Sequence, residues 1–300
     1  WVRTNLHLYA LRREEFYRAT AAACADAIVA CQHGDGSWLH PPIPGRRGFI
    51  STVEGVWASL GLVAAYRAFG DEHYLAAARR WYTFQKYEMG WQVVDWGLAA
   101  NYYRHSTIVV PNVTTMLLWL CAELADATGE QQYLNHAGAM VRFLQSSQQP
   151  NGELPYELSR RPHFMCYQYN AFELRDLAHY YMLTGDGAVW HPMQRLAAFL
   201  AGGVTPDGAC RYSCRQRWPE VHYWTGVLAA ALQQATALGL GDYRAQSARA
   251  HCHLLTQQRR DGGFDFSRRS YGRLRDRRSY PRYLAMILEQ LLALDDMGRI

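Results

Sequence analysis

Hydrophobic residues recur along the chain at the spacing of amphipathic helices, and no segment shows the sustained alternation of a β-strand. Glycine-containing turns divide this pattern into helices that follow one another in pairs. The predicted pairs are residues 12–32 with 51–69, 72–85 with 107–128, 131–148 with 166–184, 188–201 with 220–238, and 243–258 with 280–294. Residues 4–11 can supply part of a sixth inner helix. We therefore predict an all-α protein.

Turns of two kinds recur along the chain with one common period. Glycines of the first kind stand at positions 36, 90, 152, 208 and 262, in steps of 54, 62, 56 and 54 residues. Glycines of the second kind stand at positions 70, 129, 185 and 241, in steps of 59, 56 and 56 residues. Helical hairpins that repeat in this way bury their apolar faces only against their neighbours. We therefore predict a single domain over residues 1–300, with repeats of about 54–62 residues.

The two helices of each hairpin differ in polarity. One set carries arginines such as Arg79, Arg142 and Arg195, so we expect one of its faces to meet solvent. The other set is nearly apolar through its middle, as in residues 109–121 and 227–232, and is expected to be surrounded by protein. This alternation predicts an (α/α) toroid of five to six helical hairpins in two concentric rings.

Long connections are predicted at one end of the hairpins, just before the inner helices. They have about 15 residues each, whereas the connections at the other end have only a few. Long loops in compact domains are usually functional, and helix N-termini carry partial positive charge. The loops also contain many arginines, namely Arg46, Arg47, Arg104, Arg160, Arg161, Arg211, Arg273 and Arg275. We therefore expect an anionic ligand at this end.

Composition restricts the partners. The net charge is +5, and Lys86 is the only lysine. Nine arginines stand between Arg259 and Arg282 against three aspartates, but they form one loop without a nucleic-acid-binding motif, so no nucleic acid is expected. No apolar run reaches about 18 residues, so we predict no membrane span. The oligomeric state is left open.

The cysteines indicate the compartment. Most of the seven lie within predicted helices, which is typical of reduced thiols and favours a cytoplasmic protein. Residues 1–13 also lack the layout of a signal peptide. Only Cys210 and Cys214 stand close together, and a Cys-x3-Cys spacing without a second pair is a poor zinc motif, even with His222 or His251 nearby. We predict no metal and no cofactor.

Polar residues stand in the first turns of three inner helices. Alignment on the closing turns places Glu54, Asn112 and Asn170 at equivalent positions. Seven residues earlier stand Arg47, His105 and His163. These groups either cap helices or line a central cavity and bind a ligand.

Two kinds of chemistry are available to such a cavity. Glu54 with Glu153 or Glu157 could act as the carboxylate pair of a glycosidase. Alternatively, asparagine and arginine neutralise a uronate while Tyr169 or His163 removes the α-proton, as in a lyase or epimerase. The predicted substrate-binding residues are Arg47, Asp95, His105, Asn112, Tyr167, Asn170, Arg211, His222, Tyr223, Tyr271, Arg273 and Arg275.

The turn motif resembles the repeat of squalene–hopene cyclases and related prenyltransferases, in which an aromatic-Leu pair is followed by Gln-x3-Gly-x-Trp. The matching residues are Gln32, Gly36 and Trp38; Phe143, Leu144, Gln148 and Gly152; and Gln258, Gly262 and Phe264. The resemblance covers the whole chain and implies an α/α toroid, an architecture that six-hairpin glycosidases and toroid polysaccharide lyases share. The Asp-x-Asp-Asp proton donor of the cyclases is absent from the sequence.

We predict a carbohydrate-active enzyme that acts on an anionic, uronate-type saccharide by hydrolysis or by elimination or epimerisation. Two alternatives stay open. One is a terpenoid cyclase-like or prenyltransferase-like enzyme with an isoprenoid substrate, which would have an apolar, aromatic cavity. The other is a non-catalytic binding toroid, whose loops would cover the mouth or form a flat interface.

Overall fold

The computed structural model describes residues 1–40, 48–158 and 165–297. In these ranges the chain forms eleven α-helices and five short β-strands, so it is mainly helical, as predicted. The chain divides into two compact units, Trp1–Ser146 and Ser147–Ile300. The expectation of one domain stays a prediction.

The first unit holds two layers of helices. Its helices are α1 (Val2–Arg12), α2 (Glu15–Ala30), α3 (Thr52–Phe69), α4 (Glu72–Phe84), α5 (Pro111–Thr128) and α6 (Ala137–Ser147). Helices α1, α3 and α5 pack side by side, and α2 and α4 lie against them. Helix α5 buries 14 of its 18 residues whereas α2 buries two of 16, which identifies α5 as inner and α2 as outer. Strands β1 (Trp91–Val94) and β2 (Gly97–Ala100) form an antiparallel hairpin before α5.

The second unit repeats this arrangement. Its helices are α7 (Cys166–Thr184), α8 (Trp190–Ala201), α9 (His222–Ala237), α10 (Arg244–Thr256) and α11 (Pro281–Met297). Helices α7, α9 and α11 pack side by side, with α8 against α7 and α9 and with α10 against α9. Strands β3 (Glu220–Val221), β4 (Ser267–Ser270) and β5 (Leu274–Asp276) form an antiparallel sheet in that order. In both units the long connections precede the inner helices.

Most helix boundaries follow the turn residues closely. The helix predicted over residues 131–148 is instead a 3-10 turn, Gln131–Leu134, followed by α6 from Ala137. The helix predicted over residues 107–128 begins only at Pro111, because Val109 is still paired with Asn101 as an isolated β-bridge. The N-terminal helix is separated from α2 at Arg13, whose φ of 58° is left-handed and ends α1. In the described part of the chain no helix is both long enough and apolar enough to cross a membrane.

A glutamine fixes three of the five glycine turns of the first kind, those at Gly36, Gly152 and Gly262. Gln148 Nε2 donates to the Gly152 carbonyl at 2.9 Å and to the Pro192 carbonyl of the following outer helix at 3.0 Å. The bond thus joins one hairpin to the next. The same side-chain bonds run from Gln32 to Gly36 and Ala77, each at 2.9 Å, and from Gln258 to Gly262 at 2.9 Å.

Candidate active site

The connections that precede α7 and α9 bring a carboxylate and two thiols together in the second unit. Cys166, the first residue of α7, has its Sγ 2.8 Å from Cys214 Sγ. Cys214 Sγ lies 3.9 Å from Glu153 Oε2. One ligand atom from each of these three residues lies within 4.8 Å of the other two. The thiol neighbour of Cys214 is therefore Cys166. Cys210, which stands near Cys214 in the sequence, is buried with its thiol 3.3 Å from the Arg211 carbonyl.

Tyr167 lies beside this cluster with its ring packed against Phe199 and Gly203. The ring stacks on Phe199 with centroids 4.9 Å apart. A Cβ added at Gly203 would lie 2.4 Å from the Tyr167 ring, so only glycine leaves room for the ring. Burial raises the pKa of the Tyr167 hydroxyl, which keeps it protonated at neutral pH.

A second polar contact joins the starts of α7 and α9. Gln168 Nε2 donates to the Tyr223 hydroxyl at 2.9 Å. The Tyr223 ring stacks on Tyr283 of α11 with centroids 4.5 Å apart, and Phe266 lies 5.0 Å from Tyr283. Burial raises the pKa of Tyr223 to about 12. Tyr223 is therefore a neutral group that holds three inner helices together at this end.

Glu220 and His222 belong to a buried network with the outer helix α10. Glu220 Oε1 lies 2.7 Å from His253 Nε2 and 3.8 Å from His222 Nε2. Arg268 Nε lies 3.0 Å from Glu220 Oε2. Burial alone would raise the pKa of Glu220, but the hydrogen bond from His253 and the charges of His253 and Arg268 outweigh it, so that pKa is lowered.

The imidazole of His222 is neutral in this network. Burial lowers its pKa, and Nδ1 lies 2.8 Å from the Asp265 carbonyl, which can only accept a hydrogen bond. Nδ1 therefore carries the proton. Because only 1% of His222 is exposed, the structure places this predicted substrate-binding residue inside the protein.

Glu173 of α7 is a buried acid that sequence reasoning missed. Neither of its carboxyl oxygens has a hydrogen-bond partner among the described residues, and the residue is fully buried. Burial raises its pKa well above the ordinary value, and the charges of Asp176 and Glu153 raise it further. A protonated carboxylic acid in an inner helix is the kind of perturbed group that clusters at functional sites.

Replacing Glu173 with glutamine should stabilise the protein increasingly as the pH rises. The raised pKa means that the folded state holds a proton which the unfolded state releases, so stability is present at low pH and lost as pH rises. Glutamine keeps the shape of the neutral acid without this loss. The difference in free energy of unfolding between variant and wild type should grow by about 1.4 kcal/mol per pH unit between the ordinary glutamate pKa and the raised pKa of the folded state, and should be constant above it.

Urea unfolding at several pH values measures this difference. Glu72→Gln, at an exposed position in the first turn of α4, is the matched control and should show no such slope. A difference between Glu173→Gln and wild type that does not change with pH would show that Glu173 is ionised in the folded protein.

Glu157 and Tyr169 are the predicted catalytic residues of the second unit that solvent can reach. Both are partly exposed, and the Tyr169 ring lies 4.5 Å from the ring of Tyr156. Glu153, by contrast, is only 1% exposed. The accessible acid–base groups among these residues are therefore the carboxyl of Glu157, in the connection before α7, and the phenol of Tyr169, which packs against Tyr156.

Glu54 in the first unit bonds to Ser51, the N-cap residue of α3. Its N–H donates to Ser51 Oγ at 3.5 Å, and the Ser51 hydroxyl donates to the Glu54 carboxylate. Glu54 Oε1 also lies 3.6 Å from His40 Nε2, and its side chain is 20% exposed. Glu54 thus bonds to the N-cap of α3 and still offers a carboxylate to a ligand. His40 has no counterpart in the sequence prediction.

Asn170 is engaged at both ends of its side-chain amide. Its Oδ1 accepts from the Leu154 N–H at 2.8 Å, and its Nδ2 donates to the Leu154 carbonyl at 2.7 Å. The residue is fully buried. These bonds fix the backbone of the segment that follows Gly152. The side-chain amide of Asn170 therefore has a structural role.

Threonines take the place of Asn170 in two other inner helices. Thr114 of α5 and Thr225 of α9 each accept from a backbone N–H of the preceding connection, at 3.0 and 3.1 Å. Thr114 and Asn170 both stand fifteen residues before the glycine that ends their helix. Asn112 stands seventeen residues before Gly129, so the closing glycines and the hydrogen bonds both align Thr114, and not Asn112 as predicted, with Asn170.

Three predicted binding residues lie at exposed turns. Asp95 occupies the tip of the β1–β2 hairpin, with φ 41°. His105 is also exposed, with φ 59°. Tyr271, with φ 51°, is 94% exposed at the tip of the β4–β5 hairpin. Asn112, in contrast, is 7% exposed in the first turn of α5.

The arginines among the predicted binding residues differ in their contacts. Arg275 pairs with the buried carboxylate of Asp265. Arg273 is exposed, and Arg211 is partly exposed. The charge of Arg211 opposes the effect of burial on the pKa of the Tyr167 hydroxyl. Arg47 and His163 lie outside the described residues.

Comparison with solved structures finds this fold in several enzymes. A cellobiose 2-epimerase from Bacillus thermoamylovorans superposes with a TM-score of 0.82 at 12% identity, over 100% of this chain and 86% of that chain. A possible member of the GH105 family from Salmonella enterica serovar Paratyphi A gives 0.75 at 13% identity, over 99% and 81%. A polysaccharide lyase gives 0.71 at 13% identity, over 99% and 88%.

Sequence comparison adds no relative, since neither a protein-family model nor a curated protein matches the chain. Identities of 12–13% show the fold alone. The structural matches extend over nearly the whole chain and confirm the predicted architecture. The chain has the α/α-toroid fold of six-hairpin glycosidases, sugar epimerases and polysaccharide lyases.

Proposed function

We propose that this protein is a carbohydrate-active enzyme that acts on an anionic, uronate-type saccharide by acid–base chemistry. The observation that carries the proposal is the fold, which the chain shares over at least 99% of its length with a cellobiose epimerase and a polysaccharide lyase. A fold alone supports many functions, so the chemistry must come from the residues of the site.

Glu157 and Tyr169 supply that chemistry in the proposal. A carboxyl group and a phenol can exchange protons with a sugar directly, and both of these side chains are partly exposed. The Tyr156–Tyr169 ring pair offers an aromatic surface for a sugar face. In the first unit, Glu54 and His40 offer another pair of acid–base groups, a carboxylate and an imidazole.

Arginines of the β4–β5 region support the choice of an anionic substrate. Four of the nine arginines between positions 259 and 282 pair with Glu220 or with aspartates. The remaining five form no ion pair within the described residues, and they are Arg260, Arg269, Arg273, Arg277 and Arg282. An excess of guanidinium groups favours carboxylate ligands, which they can bind in a bidentate manner.

A substrate panel tests the proposal with the full chain. Cellobiose, oligogalacturonate and geranyl diphosphate are each incubated with the protein, and products are followed by proton NMR and by release of reducing ends. We expect turnover of oligogalacturonate, with a KM that rises with salt because exposed charges are screened. Turnover of cellobiose alone would overturn the anionic preference. Turnover of the diphosphate alone, or of none of the three, would overturn the carbohydrate assignment.

A further inference from the structure

The cluster of Glu153, Cys166 and Cys214 contains none of the groups that the proposed function assigns to substrate chemistry. We propose that these three residues bind a divalent metal ion of the zinc type. The sequence analysis predicts no metal, because Cys166 and Cys214 are 48 positions apart and their pairing is invisible in a local motif. This site goes beyond the proposed function and can be tested without a substrate.

The geometry needs little change to hold the ion. Zinc–sulfur bonds of about 2.3 Å in a tetrahedral site place two ligand sulfurs about 3.7 Å apart. Cys214 Sγ already lies 3.9 Å from Glu153 Oε2, close to the separation of two ligands of one ion. The two sulfurs, now 2.8 Å apart, must separate by about 1 Å. Cys214 can make this movement because it is partly exposed in a connection, whereas Cys166 is fixed in α7.

The donor set suits zinc rather than magnesium or calcium. Two thiolates and one carboxylate are ligands that zinc accepts, whereas magnesium and calcium require oxygen alone. Binding releases the two thiol protons to solvent, so the site changes from two neutral thiols and a carboxylate to three anionic ligands around one cation. Three protein ligands leave a fourth position for water or for an oxygen of a bound molecule.

The neighbours of the ligands are placed to orient them. Asn151 Nδ2 lies 3.4 Å from Glu153 Oε2, and the Glu153 N–H donates to Asn151 Oδ1 at 3.0 Å. The Cys214 N–H points at Cys166 Sγ, 3.1 Å away. Groups that bond to ligands in this way hold them in position in metal sites.

A disulfide between the two cysteines is the competing outcome. It would form one S–S bond, release two protons and pass two electrons to an oxidant such as a small-molecule disulfide. A disulfide explains only the approach of the two sulfurs, whereas a cation explains why the carboxylate oxygen lies close to both of them, so we favour the metal.

Metal content of the purified chain tests the site. Protein purified under reducing conditions from zinc-supplemented medium should hold about one zinc per chain by mass spectrometry of the elements. Cys166→Ser and Cys214→Ser should each lose most of it, and Glu153→Gln should weaken zinc affinity at least about tenfold. Cys252→Ser, at an exposed cysteine of α10, is the matched control and should keep its zinc.

Cobalt substitution keeps the test independent of the variants' folding. Wild-type protein loaded with Co²⁺ should show thiolate-to-cobalt charge-transfer bands and the visible bands of a tetrahedral site. Absence of zinc and of these bands in the reduced protein would overturn the proposal. Equal zinc content in wild type, Cys166→Ser and Cys214→Ser would overturn it as well. A third contrary result would be a Cys166–Cys214 disulfide, seen as the loss of two hydrogens in the mass of the chain, in a protein that binds no zinc after reduction.

Discussion

Replacing Gly152 with alanine should lower the free energy of unfolding by about 4 kcal/mol. Its φ of 94° lies where a side chain costs about 1–2 kcal/mol. A Cβ at this position would also lie 2.3 Å from the Arg195 carbonyl oxygen, a backbone atom of α8 that cannot rotate away. Overlap of this kind costs about 1–3 kcal/mol more. Urea unfolding followed by circular dichroism measures the loss.

Gly262 provides the matched control for this prediction. It occupies the same kind of turn with φ 82°, and its carbonyl accepts the same glutamine bond, but no atom lies within 4 Å of an added Cβ. Gly262→Ala should therefore cost only the conformational term, about 1–2 kcal/mol. If both variants lose the same stability, the close approach of Gly152 to α8 is not a feature of the protein in solution.

The second large effect concerns catalysis. Glu157→Gln and Tyr169→Phe should each lower kcat/KM by about 10²- to 10⁴-fold for the substrate that the panel identifies, because each removes an ionisable hydrogen and little volume. Glu54→Gln should lower it as well if its carboxylate contacts the sugar. Initial rates over a range of substrate concentrations separate kcat from KM.

Two conservative variants control for this experiment. Tyr181→Phe removes a phenol hydroxyl from the other end of the same helix, where the ring contacts Trp190 at 5.2 Å. Glu72→Gln removes an exposed carboxylate from α4. Both should leave kcat/KM within about twofold of wild type. Unchanged turnover in Glu157→Gln and Tyr169→Phe would mean that the acid–base groups lie elsewhere in the protein.

Helices were predictable because their ends depend on local chemistry. Helix α7 runs from Cys166 to Thr184, as the sequence predicts, because Gly185 adopts a left-handed φ of 68° that ends it. The short strands were not predictable, since β3 has two residues and β5 has three, too few for an alternating pattern. Their pairing depends on backbone geometry within long connections.

The candidate site was predicted only in part. Glu157 and Tyr169 could be chosen from the sequence because Glu157 follows the Gly152 turn and Tyr169 stands in the first turn of α7. Their catalytic role stays a prediction. Glu173 was missed because the residues around it in the sequence do not show that its carboxyl group is buried without a hydrogen-bond partner among the described residues. The contact of Cys166 with Cys214 was also missed, since residues 48 positions apart meet only through the packing of α7 beside α9.

The glutamine bond at Gly152 also bears on how such a protein can diversify. Gln148 bonds to Gly152 and Pro192, and all three stand outside residues 153–165, which lead to α7. Residues can therefore be inserted between a turn and the next inner helix without disturbing the bond between hairpins. Doubling the length of a loop costs only about 0.6 kcal/mol in the entropy of loop closure. A scaffold linked in this way can acquire new substrate contacts while its helices keep their order.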